Sequence, residues 1–156
     1  MQSILLGSKA IALLSITGTD LIVKALTVTT TTTLNLIKHL TSLDQPSLNQ
    51  IKKDLEDLDL EKEVLVINAF IEELNEDYYI KNSVKIALEN LNSILIKINE
   101  EIETIKILVN DHNEKWFNTW RSFDCGECIN NIKQHYTILE KRMDMIIKLL
   151  SIRKKD

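Results

Sequence analysis

Residues 84–116 read "VKIALENLNSILIKINEEIETIKILVNDHNEKW". In this stretch Val84, Leu88, Leu91, Leu95, Ile98, Ile102, Ile105, Val109, His112 and Trp116 follow one another at alternating spacings of four and three. That is the seam of one long amphipathic helix, because side chains three and four apart share a face. Lys97, Glu100, Glu103 and Lys106 fall off the seam, where water can reach them. At a rise of 1.5 Å per residue the helix should be on the order of 45–50 Å long.

The same pattern recurs on the C-terminal side. Ile129, Ile132, Tyr136, Leu139, Met143, Ile146 and Leu150 form a second seam. A short connection separates the two, so the helices should run antiparallel. On the N-terminal side, Pro46 blocks continuation of whatever precedes it. Ser47 and Gln50 then stand at capping-box spacing. Ile51, Leu55 and Leu58 make one stripe; Leu60, Val64, Ile67, Ile71, Leu74 and Tyr78 make another. The phase slips between Leu58 and Leu60, and Asp59 offers itself there as a fresh N-cap, so this helix should be broken.

The first 43 residues read differently. Ala10 to Ile16 is apolar on nearly every side, the signature of a helix that is buried or meets something greasy. Ile11, Leu14, Gly18, Leu21, Ala25 and Val28 fit a seam in which Gly18 and Ala25 would admit another helix closely. The run Thr27–Thr33 has poor helix propensity. It is either a helix held by its neighbours or a connection between two shorter helices.

Three glycines and one proline among 156 residues leave little punctuation for turns and sheets, which favours long helices. The expected architecture is all-α: a single domain over residues 1–156, an antiparallel four-helix bundle with a broken second helix and a largely buried first. The net charge of −4 argues against a general nucleic-acid binder. Two cysteines are not a disulfide framework. The N-terminal stretch lacks a basic start and an A-x-A site, so secretion is not expected and an intracellular place is. The longest uncharged run, Ala25–Ile37, is too short and too hydroxylated to span a bilayer.

"KWFNTWRSFDCGEC", residues 115–128, concentrates the unusual residues. Cys125 and Cys128 have the spacing of half a zinc site or of a redox pair. His112 and His135 are the nearest further ligands. However, His135 follows Cys128 by seven residues, roughly 10 Å along a helix. A redox pair of this kind normally opens a helix beside a strand, and no strand is expected. The alternative is structural: Asp124 caps the last helix, Cys128 packs and Cys125 sits at the turn. No metal, no cofactor and no catalytic residue is expected. Trp116, Trp120 and Arg121 are the interaction candidates, the indoles serving either as partner anchors or as the plug of the bundle's end. Residues 47–79 carry ten Asp or Glu and three Lys, a solvated acidic face; the last sixteen carry six Lys or Arg and are placed to complement it. Phosphate loops, H-E-x-x-H and G-x-S-x-G motifs are absent from the sequence.

"EKWFNTWR" followed by "KRMDMIIKLL", with "LDLEKEVLVINAFIEEL" upstream, resembles small uncharacterised all-helical proteins of giant (nucleocytoplasmic large) DNA viruses. The resemblance covers most of residues 27–152 and carries over no activity or site. It implies an AT-rich viral source, which 51 Ile, Lys and Asn residues allow, and with it a place in host cytoplasm or virion. "SKAIALLSITGTDLIVKAL" is similar to the membrane-acting four-helix domains of cell-death proteins. The expected function is therefore a non-enzymatic helical interaction or structural module, with a protein partner or self-association. Behind it stand a membrane-active domain exposing its first helix and a small zinc-stabilised regulator.

Overall fold

Each helix here is built around one apolar stripe, and the stripes meet in one core. The computed structural model describes residues 18–74, 81–114 and 124–152. They form α1 (Gly18–Ser42), a 3₁₀ turn (Pro46–Leu48), α2 (Asn49–Asp57), α3 (Leu60–Glu73), α4 (Asn82–Glu114) and α5 (Gly126–Ser151). The fold is all-α, with no strand among the described residues. The Ala10–Ile16 run, Tyr78, Trp116, Trp120 and Arg121 lie outside them.

α4 is the spine. Its eight apolar seam residues from Val84 to Val109 are all buried, and Leu88, Leu91, Leu95, Ile98, Ile102 and Ile105 are fully so. α5 matches its stripe as well: Ile129, Ile132, Leu139, Met143 and Ile146 are buried, with Tyr136 and Leu150 packed at the margin. The α4–α5 contact is tied at two levels. Asn131 donates to Glu101 at 3.1 Å, and Arg142 donates to the Asn90 carbonyl. α1 packs on α4 and on α3. Thr30 meets Asn68 of α3 at 2.8 Å, and Asn99 of α4 donates to the Thr29 carbonyl at 3.3 Å.

The threonine run is helix throughout. Its hydroxyls explain how. Thr27, Thr29 and Thr33 each donate to the carbonyl four residues back, at 2.8–2.9 Å, and the Thr30 hydroxyl has both the Leu26 carbonyl, at 2.9 Å, and Asn68 as acceptors within reach. A hydroxyl satisfied by its own helix can face a core. Thr29, Thr30 and Thr33 do so, beside Ile22, Leu26, Leu34, Ile37 and Leu40.

This corrects the expected seam of the first helix. Gly18, Ala25 and Val28 face solvent, Leu21 is half-buried, and Val28 is 66% exposed. The buried face lies about a third of a turn away and includes the threonines that hydropathy had set aside. Two capping expectations also change. Ser47 and Gln50 form no capping box; the chain enters α2 through the 3₁₀ turn, and Leu48 at the cap position makes no side-chain bond. The break between α2 and α3 is where expected, but Asp59 marks it by a left-handed backbone (φ 56°, ψ 27°) and makes no side-chain cap. Its carboxylate pairs with Lys62 at 2.8 Å instead.

Candidate functional site

The start of α5 holds the two cysteines. Asp124 accepts the Gly126 N–H at 2.8 Å, satisfying one of the donors that a helix start leaves unpaired. The Ile129 N–H reaches the Cys125 carbonyl at 3.0 Å and closes the first turn. Both thiols are free and buried, at 6% and 8% exposure. Burial, then Cys128 and Asp124, push the Cys125 thiol from its ordinary 9.0 up to about 12. Burial and the neighbouring Glu101 raise Cys128 as well. A nucleophilic or redox-active cysteine needs the opposite, an electropositive setting that favours thiolate. Beside the pair, a polar cleft of about 290 Å³ separates α5 from the turn before α2, and Lys133 spans it to Asp54 at 3.2 Å.

Of the four metal candidates, the structure brings Cys125 and Cys128 together and adds neither histidine. His112 is half-buried near the end of α4, and His135 is half-buried on α5 with its Nδ1 enclosed. Among the described residues no group of three His, Cys, Asp or Glu side chains is placed to hold a metal ion.

Two shallow apolar grooves also open on the described surface. One runs between α1 and α4, about 360 Å³, lined by Leu21, Ile22, Ala25, Ser93 and Ile96 with Glu89 and Asn92. Val28 lies further along the same side of α1. The other runs between α4 and α5, about 340 Å³, lined by Ile86, Ala87, Met145 and Leu149 with Ser83, Asn90 and Arg142. Ile86 and Met145 stand 47% and 54% exposed. Sequence reasoning named Leu21 and Ala25 but passed over Ile86, Ile96 and Met145, because it followed the seams of the later helices. The signal was present: Ile86, Ile96 and Met145 are large apolar residues at off-seam positions, and each has one charged neighbour, Lys85, Lys97 and Asp144.

Comparison with known proteins adds one relation. Over 69 residues, 44% of this chain, it is 29% identical to an uncharacterised protein of Acanthamoeba polyphaga mimivirus. The match spans about a third (34%) of that protein's length. No family model matches the chain, and no solved structure does. Among the described residues no helix is long and apolar enough to cross a membrane.

Proposed function

We propose that this chain is a non-enzymatic interaction module of viral origin, a single-domain antiparallel four-helix bundle that works inside an infected cell as part of a larger assembly. The antiparallel reading rests on paired levels. The pairings of Glu101 with Asn131 and of Asn90 with Arg142 support a course in which α5 descends as α4 ascends. Gly18 beside Lys85 and Thr29 beside Asn99 support α1 and α4 running in the same direction, as alternate helices of an up-and-down bundle do. Viral origin is supported by the similarity to the mimivirus protein.

The observation that carries the interaction reading is the α1–α4 groove. Small residues, Ala25 and Ser93, line it, and Val28 beyond them is 66% exposed. Its occupant is a second copy of this chain. An isologous pair places residue i of one copy against residue j of the other, and j against i. The groove suits this, because exposed Lys24 lies on the α1 side and exposed Glu89 on the α4 side. Each copy would set its cation against the other's carboxylate while the apolar strips close.

Light scattering on the intact chain tests this. The expected mass is twice 18.0 kDa, returning to one copy in an Ala25→Glu/Val28→Glu variant whose melting temperature at low concentration is unchanged, since both residues are exposed. A parent protein that stays at single-copy mass at every concentration would remove the proposal.

A further inference from the structure

α3 turns Leu60, Val64, Ile67 and Ile71 into the core. Its opposite side is not wholly polar. Leu65 and Val66 stand 45% and 59% exposed, and Ala69, one turn on, is exposed as well. Residues three and four apart share a face, so these three form one outer strip. Exposed Glu72 and Glu73 follow it directly. The one cation of α3, Lys62, already pairs with Asp59 at 2.8 Å. α3 therefore turns outward a short apolar strip with an acidic end.

The α4–α5 groove has the opposite charge. Its lining carries one charged residue, Arg142, and no acid. Exposed Lys141 and Lys148 stand four residues before and three after Met145, on its own face of α5. The neighbouring acids of α5, Glu140 and Asp144, face Glu63 of α3 instead. The lengths agree: residues 65–73 rise ~12 Å as helix, against ~10 Å of α4 between Ser83 and Asn90. A groove between two helices takes a third helix, whereas a bilayer surface takes the apolar face of a helix lying in its plane. The α1–α4 groove is the poorer seat for such a strip, because Glu89 lies in its lining.

We propose that α3 of one copy lays Leu65, Val66 and Ala69 into the α4–α5 groove of a second copy, so that Glu72 and Glu73 meet Lys141 and Lys148. The contact sets one patch against a different patch, so each copy engages two others and the contact propagates. It uses no residue of the α1–α4 surface and does not depend on that pairing. It is small, with three apolar residues and exposed charges. It therefore forms where copies are crowded and leaves the mass of dilute protein unchanged.

The test uses the full chain carrying Ala25→Glu/Val28→Glu, which removes the α1–α4 pairing, so failure of one reading is told apart from failure of the other. Met145 is replaced by the photo-crosslinker p-benzoylphenylalanine, a substitution its exposure tolerates. Isotope-labelled and unlabelled copies are mixed at high concentration and low salt. Irradiation should join two copies, with the crosslink mapping to residues 65–73. Its yield should fall severalfold in about 1 M salt, where the Debye length is ~3 Å. Glu72→Lys/Glu73→Lys should abolish the crosslink, and so should Lys141→Glu/Lys148→Glu. Mixing these two variants puts opposite charges back across the contact and should restore it. Crosslinks within one chain, crosslinks to other parts of a second copy, no crosslink, or no rescue in the mixture would each overturn the proposal. A flotation arm with phosphatidylglycerol vesicles separates the remaining occupant. The protein should stay with the protein fraction, and co-flotation that Lys141→Glu/Lys148→Glu abolishes would assign the groove to a lipid surface instead.

Discussion

Thr30 has one hydroxyl proton and three acceptors within reach: the Leu26 carbonyl at 2.9 Å, the Thr27 carbonyl at 3.1 Å and Asn68 Oδ1 at 2.8 Å. The first two already accept helix N–H bonds, so Asn68 gains most from the proton. Thr33 is equally buried, at 0% exposure, but its hydroxyl reaches only the Thr29 carbonyl. That carbonyl also has Asn99 as a donor. The two threonines should therefore respond differently to loss of the hydroxyl. Thr30→Val strands an amide oxygen at the α1–α3 contact and is expected to cost on the order of 1–2 kcal/mol. Thr33→Val keeps the shape, strands nothing, and should fall within ~0.5 kcal/mol of the parent. Urea unfolding of the two variants decides the matter. Equal losses would show that the Thr30–Asn68 bond contributes no more than a helix's own back-bond.

At the scale of the element, Asp59 does what no cap accounts for. Leu58 and Asp59 close α2 with bonds to Asp54 and Glu56, and the Asp59 carbonyl accepts the Glu63 N–H to open α3. A single left-handed residue between them resets the helical phase, so Leu55 and Leu60 both face the core. Left-handed backbone costs an L-residue ~1–2 kcal/mol, least for Asp and Asn, whose short polar chains bond locally. Asp59→Val should destabilise by about 1–2 kcal/mol. Asp59→Gly should come out near neutral, relief of strain offsetting greater freedom in the unfolded chain. If valine were tolerated as well as glycine, the left-handed turn would not be what joins the two helices. The break was legible because Leu58 and Leu60 cannot share a stripe; its chemistry was not, because Asp serves equally well as an N-cap or as a left-handed residue. α4 and α5 were legible for a related reason. Charges flank their seams and leave only one face free of them. α1 has few charges from Leu21 to Ile37, so hydropathy had no polar side to exclude, and the inward threonines are polar only until their hydroxyls bond their own helix. The site followed the same logic. Cysteine spacing was visible, but whether the thiols would be buried and protonated depended on what α5 packs against.

At the scale of the whole molecule, charge is less neatly divided than the sequence implies. The basic residues of the last sixteen were expected to complement the acidic face of residues 47–79 or helix C-terminal dipoles, and Arg153, Lys154 and Lys155 lie outside the described residues. Among the described residues, Arg142 donates to a backbone carbonyl of α4, and Lys133, earlier in α5, takes Asp54. Asp144 and Glu140 of α5 face Glu63 of α3, acid against acid. Burial first, then Glu140, Asp144 and Asp59, hold the Glu63 carboxyl above its ordinary 4.5. Burial first, then Glu140 and Glu63, raise the Tyr136 hydroxyl too. A carboxyl raised in the folded state binds its proton more tightly there than in the unfolded chain. Its contribution to stability is complete below pH 4.5 and is lost as pH climbs through the folded value. Most acidic groups in proteins work the other way. Glu63→Gln removes the ionisation while keeping the shape. The variant should therefore melt above the parent at pH 7, and the gap should close as pH falls to 4.5. Added salt should narrow the gap at pH 7 through its Coulombic part and leave the desolvation part in place. A gap of equal size at both pH values would mean that the amide simply packs better, and that Glu140 and Asp144 lie too far into solvent for their charges to reach Glu63.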